Sequence, residues 1–105
     1  MASGKLGSAD LGAAADTLLY TVPESTVTTL NIRVSNRNSM AIKVRVAIGT
    51  GGAPAADNYI DYDVPVGANG ILEDSGIVCG AGEKVWVRSD LANVSVRVHG
   101  FEEAA

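Results

Sequence analysis

A chain of 105 residues has room for one domain, whose core is large enough to fold without disulfides or metals. Its 47% hydrophobic and 19% charged residues are the proportions of a globular protein, and no apolar run approaches the roughly 20 residues of a membrane-spanning helix, so no membrane partner is expected. A net charge of −4 opposes the counterion-releasing attraction to phosphates, so no direct nucleic-acid role is expected either.

Residues 1–16 are rich in Gly, Ala and Ser, with Leu6 and Leu11 as the anchoring side chains, and this predicts a flexible N-terminal arm that orders on assembly. The beginning of the chain lacks the basic-then-apolar order of a secretory signal, and Cys79 is the only cysteine. Together these predict synthesis in a reducing cytoplasm.

From Thr17 the pattern changes to period two, which is the signature of strands. Leu18, Tyr20 and Val22 share one face before the turn at Pro23. Thr28, Leu30, Ile32 and Val34 share the inner face of a longer strand, and Ile42, Val44, Val46 and Ile48 that of the next. The two read as a hairpin closed by residues 36–39, with Val34 opposite Met40 and Ile32 opposite Ile42, a register that keeps Arg33 away from Lys43.

Residues 49–58 lack periodicity and read as a loop. A strand follows over 59–66 with Ile60, Tyr62, Val64 and Val66 inward, and Pro65 suggests a sheet edge. Residues 67–70 turn into a strand over 71–79, where Gly76 marks a bulge. The last two strands, 83–89 and 94–102, bury Val85 and Val87, and Val94, Val96 and Val98. Setting Val87 opposite Val96 places Trp86 across from Arg97 as a cation–π pair.

These elements predict an all-β domain over residues 17–105, an antiparallel β-sandwich of about seven strands, jelly-roll-like or a small barrel. No amphipathic helix is long enough to supply the second layer of the core, so a second sheet must.

The chemistry-bearing residues do not assemble into a reactive set. His99 is the only histidine and falls on the outer face of the last strand, and no Gly-x-Ser-x-Gly elbow is present. Cys79 reads as a small buried hydrophobe. Asp57, Asp61 and Asp63 read as a solvated strand face rather than a calcium loop. Glu73 and Asp74 are neighbours in a strand and so point to opposite faces, which separates them as an acid–base pair. Gly49, Gly51 and Gly52 lack the following helix of a phosphate loop. No catalytic residue, cofactor or metal is expected. What remains is a surface: a basic patch of Arg33, Lys43 and Arg45, an acidic one of Asp57, Asp61 and Asp63, and aromatic Trp86 with Phe101, patches of opposite sign that suit self-association into a homo-oligomer.

Several segments resemble small structural proteins of tailed bacteriophages: Lys-Leu-Gly-Ser-Ala-Asp-Leu at 5–11, Thr-Leu-Leu-Tyr-Thr-Val-Pro at 17–23, Asn-Ile-Arg-Val-Ser-Asn-Arg at 31–37, Gly-Glu-Lys-Val-Trp-Val-Arg-Ser at 82–89 and Val-Ser-Val-Arg-Val-His-Gly-Phe-Glu-Glu at 94–103. The resemblance implies a virion component assembled in the host cytoplasm. It is either a capsid decoration or cement protein bound to the major capsid protein or another virion protein, or a tail or fibre module. The first is the leading expectation, with the N-terminal arm as a strap across a neighbour and Leu6, Leu11, Arg33, Lys43, Arg45, Asp57, Asp61, Asp63, Trp86, Arg97 and Phe101 as its candidate interface. The alternative is a module that binds a cell-surface glycan by stacking on Trp86 or Tyr59.

Overall fold

A computed structural model describes all 105 residues. Eight strands run in chain order: β1 (Ser3–Leu11), β2 (Thr17–Thr21), β3 (Thr26–Asn36), β4 (Ile42–Gly49), β5 (Tyr59–Val66), β6 (Ile71–Cys79), β7 (Lys84–Ser89) and β8 (Val94–Ala104), with one 3-10 turn at Ala56–Asn58. They form two antiparallel four-stranded sheets. Sheet A has the order β1-β8-β3-β6 and sheet B the order β2-β7-β4-β5. The sheets stay separate, so the small-barrel expectation does not hold.

The alternation that marks strands in the sequence also fills the core. Leu30, Ile32 and Val34 of β3, with Val94, Val96 and Val98 of β8, face Val44 and Val46 of β4 and Val85 and Val87 of β7 in one buried cluster. Each such aliphatic side chain contributes about 1.5–3 kcal/mol by leaving water. Branched side chains at every second position suit this pleated, close-packed interface.

Neighbours in sequence are seldom neighbours in a sheet. Only β4 and β5 are consecutive strands within one sheet; every other connection crosses the core. The hairpin expected between β3 and β4 is therefore absent. β3 pairs with β8 and β6, β4 pairs with β7 and β5, and the inner faces of β3 and β4 meet across the core. The expected pairing of the last two strands is corrected in the same way, since β7 and β8 lie in opposite sheets and Trp86 is remote in register from Arg97. Period-two alternation fixes which face is buried, and a strand satisfies it equally with a lateral or a facing partner.

The crossing turn at 37–41 is anchored by one buried polar side chain. Asn36 Nδ2 donates to the carbonyls of Met40 (2.9 Å), Gly67 (3.0 Å) and Val66 (3.3 Å), while its Oδ1 accepts from the Asn38 amide at 2.9 Å and from Asn38 Nδ2 at 3.0 Å. Asn38 in turn donates to the Ala92 carbonyl, and the Asn69 amide donates to the Asn38 carbonyl. Three crossing turns are thus tied together at one end of the molecule.

The segment expected as a flexible arm is instead β1, paired along β8 from Ser3 to Leu11. Leu11 is 2% exposed and belongs to the core, and Leu6 packs against it. A Cβ on Gly7 would collide with the Leu19 backbone, so the absence of a side chain there lets β1 of one sheet lie against β2 of the other. Small residues that read as an unanchored tail are what a close approach of two edges requires. Nearby, Tyr20 of β2 donates its hydroxyl to Glu102 of β8, and the same hydroxyl lies 2.8 Å from Thr28 Oγ1 of β3, a polar tie between the sheets. Burial, then the hydrogen bond to Glu102, pushes the Tyr20 hydroxyl up to about 12.

Bulges change the face of several residues. Leu18 lies opposite Trp86 and Tyr20 opposite Val85, so an irregularity at Leu19 turns Leu18 outward to 44% exposure. In β5 two register shifts leave Ile60 and Tyr62 exposed rather than inward, and Asp63 takes a positive φ of 52°. The bulge expected at Gly76 is present, with φ 67° and its amide donating to Asn31 Oδ1 at 2.9 Å.

Replacing Asn36 by Ala removes the donor and acceptor that tie these turns and leaves buried carbonyls unpaired. A loss of about 2–3 kcal/mol is expected, read as a shift of the urea midpoint at unchanged slope.

Candidate interaction surfaces

The outer face of sheet B is built as a row across four strands. Leu18 of β2, Trp86 of β7, Ala47 of β4 and Tyr59 of β5 are successive cross-strand partners and therefore share one side. Ala47 is buried although it points outward, because larger side chains flank it. Tyr62 lies beside Tyr59 with ring centroids 5.0 Å apart and planes at 84°, an edge-to-face pair. The Arg45 guanidinium sits 4.2 Å above the Tyr62 ring and forks onto Asp63, with Nε donating to Oδ1 at 2.7 Å and Nη2 to Oδ2 at 3.3 Å. That hydrogen bond raises Arg45 and holds the Asp63 carboxyl below its ordinary value. The bulge that turns Asp63 into the left-handed region thus builds a stack of Asp63, Arg45, Tyr62 and Tyr59.

The candidate patches read from the sequence are redistributed. Lys43 and Arg45 are on sheet B, but Arg33 is on the far side of the molecule in sheet A, so the three do not form one basic patch. Trp86 and Phe101 likewise belong to opposite sheets, and the aromatic neighbours of Trp86's face are Tyr59 and Tyr62. Asp57 lies in the 3-10 turn, Asp63 is bound to Arg45, and Asp61 turns inward, so the acidic patch is split three ways. No three His, Cys, Asp or Glu side chains come together as a metal-ligand set. Phe101 and Val78 flank Thr29 on the outer face of sheet A, with Val78 66% exposed. Cys79 is fully buried and its thiol is pushed up to about 11, by burial first and then by the charge of Glu83. His99 stands opposite Asn31 on the outer face, half-buried, with Nδ1 enclosed and unpaired.

Glu73 and Asp74 do point to opposite faces: Glu73 is opposite Arg33 on the outside and Asp74 opposite Ile32 on the inside. A register shift in β5 turns Asp61, and the regular alternation of β6 turns Asp74, into the side of the molecule where these two edge strands face each other. One Oδ2 atom of each is buried without a donor. Burial, reinforced by the neighbouring Asp61 carboxyl, pushes Asp74 up to about 7. Nothing in the spacing 61 and 74 announces this pair, because it depends on the register shift of β5.

The chain matches no family model, no curated protein and no solved structure.

The pair makes stability depend on pH in a stated direction. The folded-state value of Asp74 lies above its unfolded value near 3.9, so its contribution is complete below about pH 4 and is lost as pH rises through 7. Asp74→Asn mimics the protonated form at all pH values. It is expected to match the wild type at pH 4 and to melt higher at pH 8, by about 4–8 °C for each kcal/mol of burial and repulsion penalty removed, in thermal melts followed by circular dichroism.

Proposed function

We propose that the chain is a non-enzymatic structural protein of a phage virion, a capsid decoration or cement protein that acts as a homo-oligomer on the major capsid protein. The carrying observation is strand order. The orders β1-β8-β3-β6 and β2-β7-β4-β5, with crossings at every connection but one, fit an eight-stranded jelly-roll sandwich, an architecture used by viral capsid and lectin domains. Fold alone leaves function open, and surface chemistry supports the assembly reading. Leu18, Tyr62 and Ile60 are exposed on sheet B, and Ile71, Val78 and Phe101 on sheet A, so both broad faces offer apolar area to a neighbour. The resemblance of five segments to small phage structural proteins points the same way. A strap formed by residues 1–16 is no longer part of the reading, because β1 is committed to sheet A.

The second reading, a tail or fibre module for a cell-surface glycan, is favoured by one observation. Trp86 and Tyr59, the two residues on which stacking is expected, share the outer face of sheet B on either side of Ala47.

Two measurements separate these readings. Under the assembly reading, light scattering of the pure protein gives a multiple of the monomer mass, and the double variant Leu18→Ser with Tyr62→Ser falls toward the monomer while keeping its strand spectrum. A wild-type chain that stays monomeric at high concentration and does not sediment with capsids would defeat it. Under the glycan reading, an array gives saturable binding that Trp86→Ala reduces at least tenfold, about 1.4 kcal/mol; an array without binding removes that reading.

A further inference from the structure

The outer face of sheet A, opposite the aromatic face, carries a shallow groove of about 470 Å³ lined chiefly by Ser8, Asp10, Arg33, Ser35, Ser95 and Arg97. The ladders set these residues in two rows. Ser8, Arg97, Arg33 and Glu73 are successive partners across β1, β8, β3 and β6, and Asp10, Ser95 and Ser35 form the next row.

Directly opposed like charges destabilise a ladder. The molecule contains a second such pair, Arg45 opposite Arg88, and there each guanidinium has a carboxylate: Asp63 at 2.7 Å for Arg45 and Asp16 at 4.0 Å for Arg88. In the sheet A pair, Arg33 reaches Glu73 at 3.1 Å through Nη1, but Arg97 has neither an acidic partner nor a hydrogen bond to the protein. The hydroxyls of Ser8, Ser35 and Ser95 also lack protein hydrogen-bond partners. Asp10, the acidic group of the lining, is ion-paired with Arg37. Lys5 occupies the row beyond Arg97, so the face carries a local positive excess on a chain of net charge −4.

We propose that this groove is a binding site for a tetrahedral oxyanion of the sulfate or phosphate class, gripped by the Arg97 and Arg33 forks and by the serine hydroxyls around them. Donors arrive from three strands and from two rows, which fits acceptor oxygens pointing in several directions better than the single edge of a carboxylate. The bound anion offsets the repulsion between the arginines. The site lies on the opposite sheet from the aromatic face.

The test titrates the full chain with sodium sulfate and sodium phosphate against sodium chloride at matched ionic strength, following amide resonances and melting temperature. Saturable shifts confined to residues around 33, 35, 95 and 97 are expected, together with a rise in melting temperature that chloride does not reproduce. Arg97→Gln weakens binding at least tenfold and abolishes that rise. Without oxyanion it melts no lower than the wild type, because it removes a like-charge pair, and a purely structural arginine would not behave so. The double variant Ser35→Ala with Ser95→Ala gives an independent reading of the same loss. Chloride shifts equal to those of sulfate, or an undiminished sulfate response in Arg97→Gln, overturn the proposal. A sulfated oligosaccharide that saturates at lower concentration than inorganic sulfate places the oxyanion on a glycan, and equal affinities make the free ion the ligand; either result upholds the groove.

Discussion

Face-to-face burial of two aliphatic sheets is the constraint on which the rest of the molecule depends. Valine, isoleucine and leucine at every second position of β3, β4, β7 and β8 leave water only if a second sheet covers them, and no helix is present to do so. Central strands β3 and β8 in one sheet, and β4 and β7 in the other, carry the most regular alternation. The edge strands β1, β2, β5 and β6 each carry at least one register shift along their ladders.

Those irregular edges are where the molecule departs from a plain stack of sheets. On one side, Gly7 and the bulge at Leu19 let β1 and β2 approach, and the Tyr20–Glu102 hydrogen bond ties the sheets there. On the other side, the register shifts of β5 turn Asp61 toward Asp74 of β6 and leave an exposed tyrosine on the outer face. A bulge reverses which residues point outward, so it makes surface features from residues whose alternation assigns them to the core. Tyr62 is the clearest instance. Assigned inward by its spacing, it becomes the platform for Arg45.

The two outer faces differ in chemistry as a result. Sheet B presents aromatic rings with one cation held between Tyr62 and Asp63, whereas sheet A presents an open pair of arginines among serines.

Much of this was legible from the order of residues alone. The strand spans from Thr17 onward, the inward positions of Val85, Val87, Val94, Val96 and Val98, the bulge at Gly76, the edge position of Pro65 and the burial of Cys79 all follow from alternation and backbone chemistry acting over a few residues. Lateral partners did not follow. Val34 is satisfied equally by a neighbour beside it or by one facing it, so the β3–β4 and β7–β8 hairpins were as consistent with the pattern as the crossings that occur. Nor did the role of residues 3–11, whose small side chains look unanchored until the backbone they touch is known. Sequence by itself determined which side chains must be hidden, because that is a local property with period two. Tertiary structure decided what hides them, and with it the arginine pair, the aromatic row and the facing carboxyls, because each joins residues distant in sequence through lateral pairing or through the way two sheets stack.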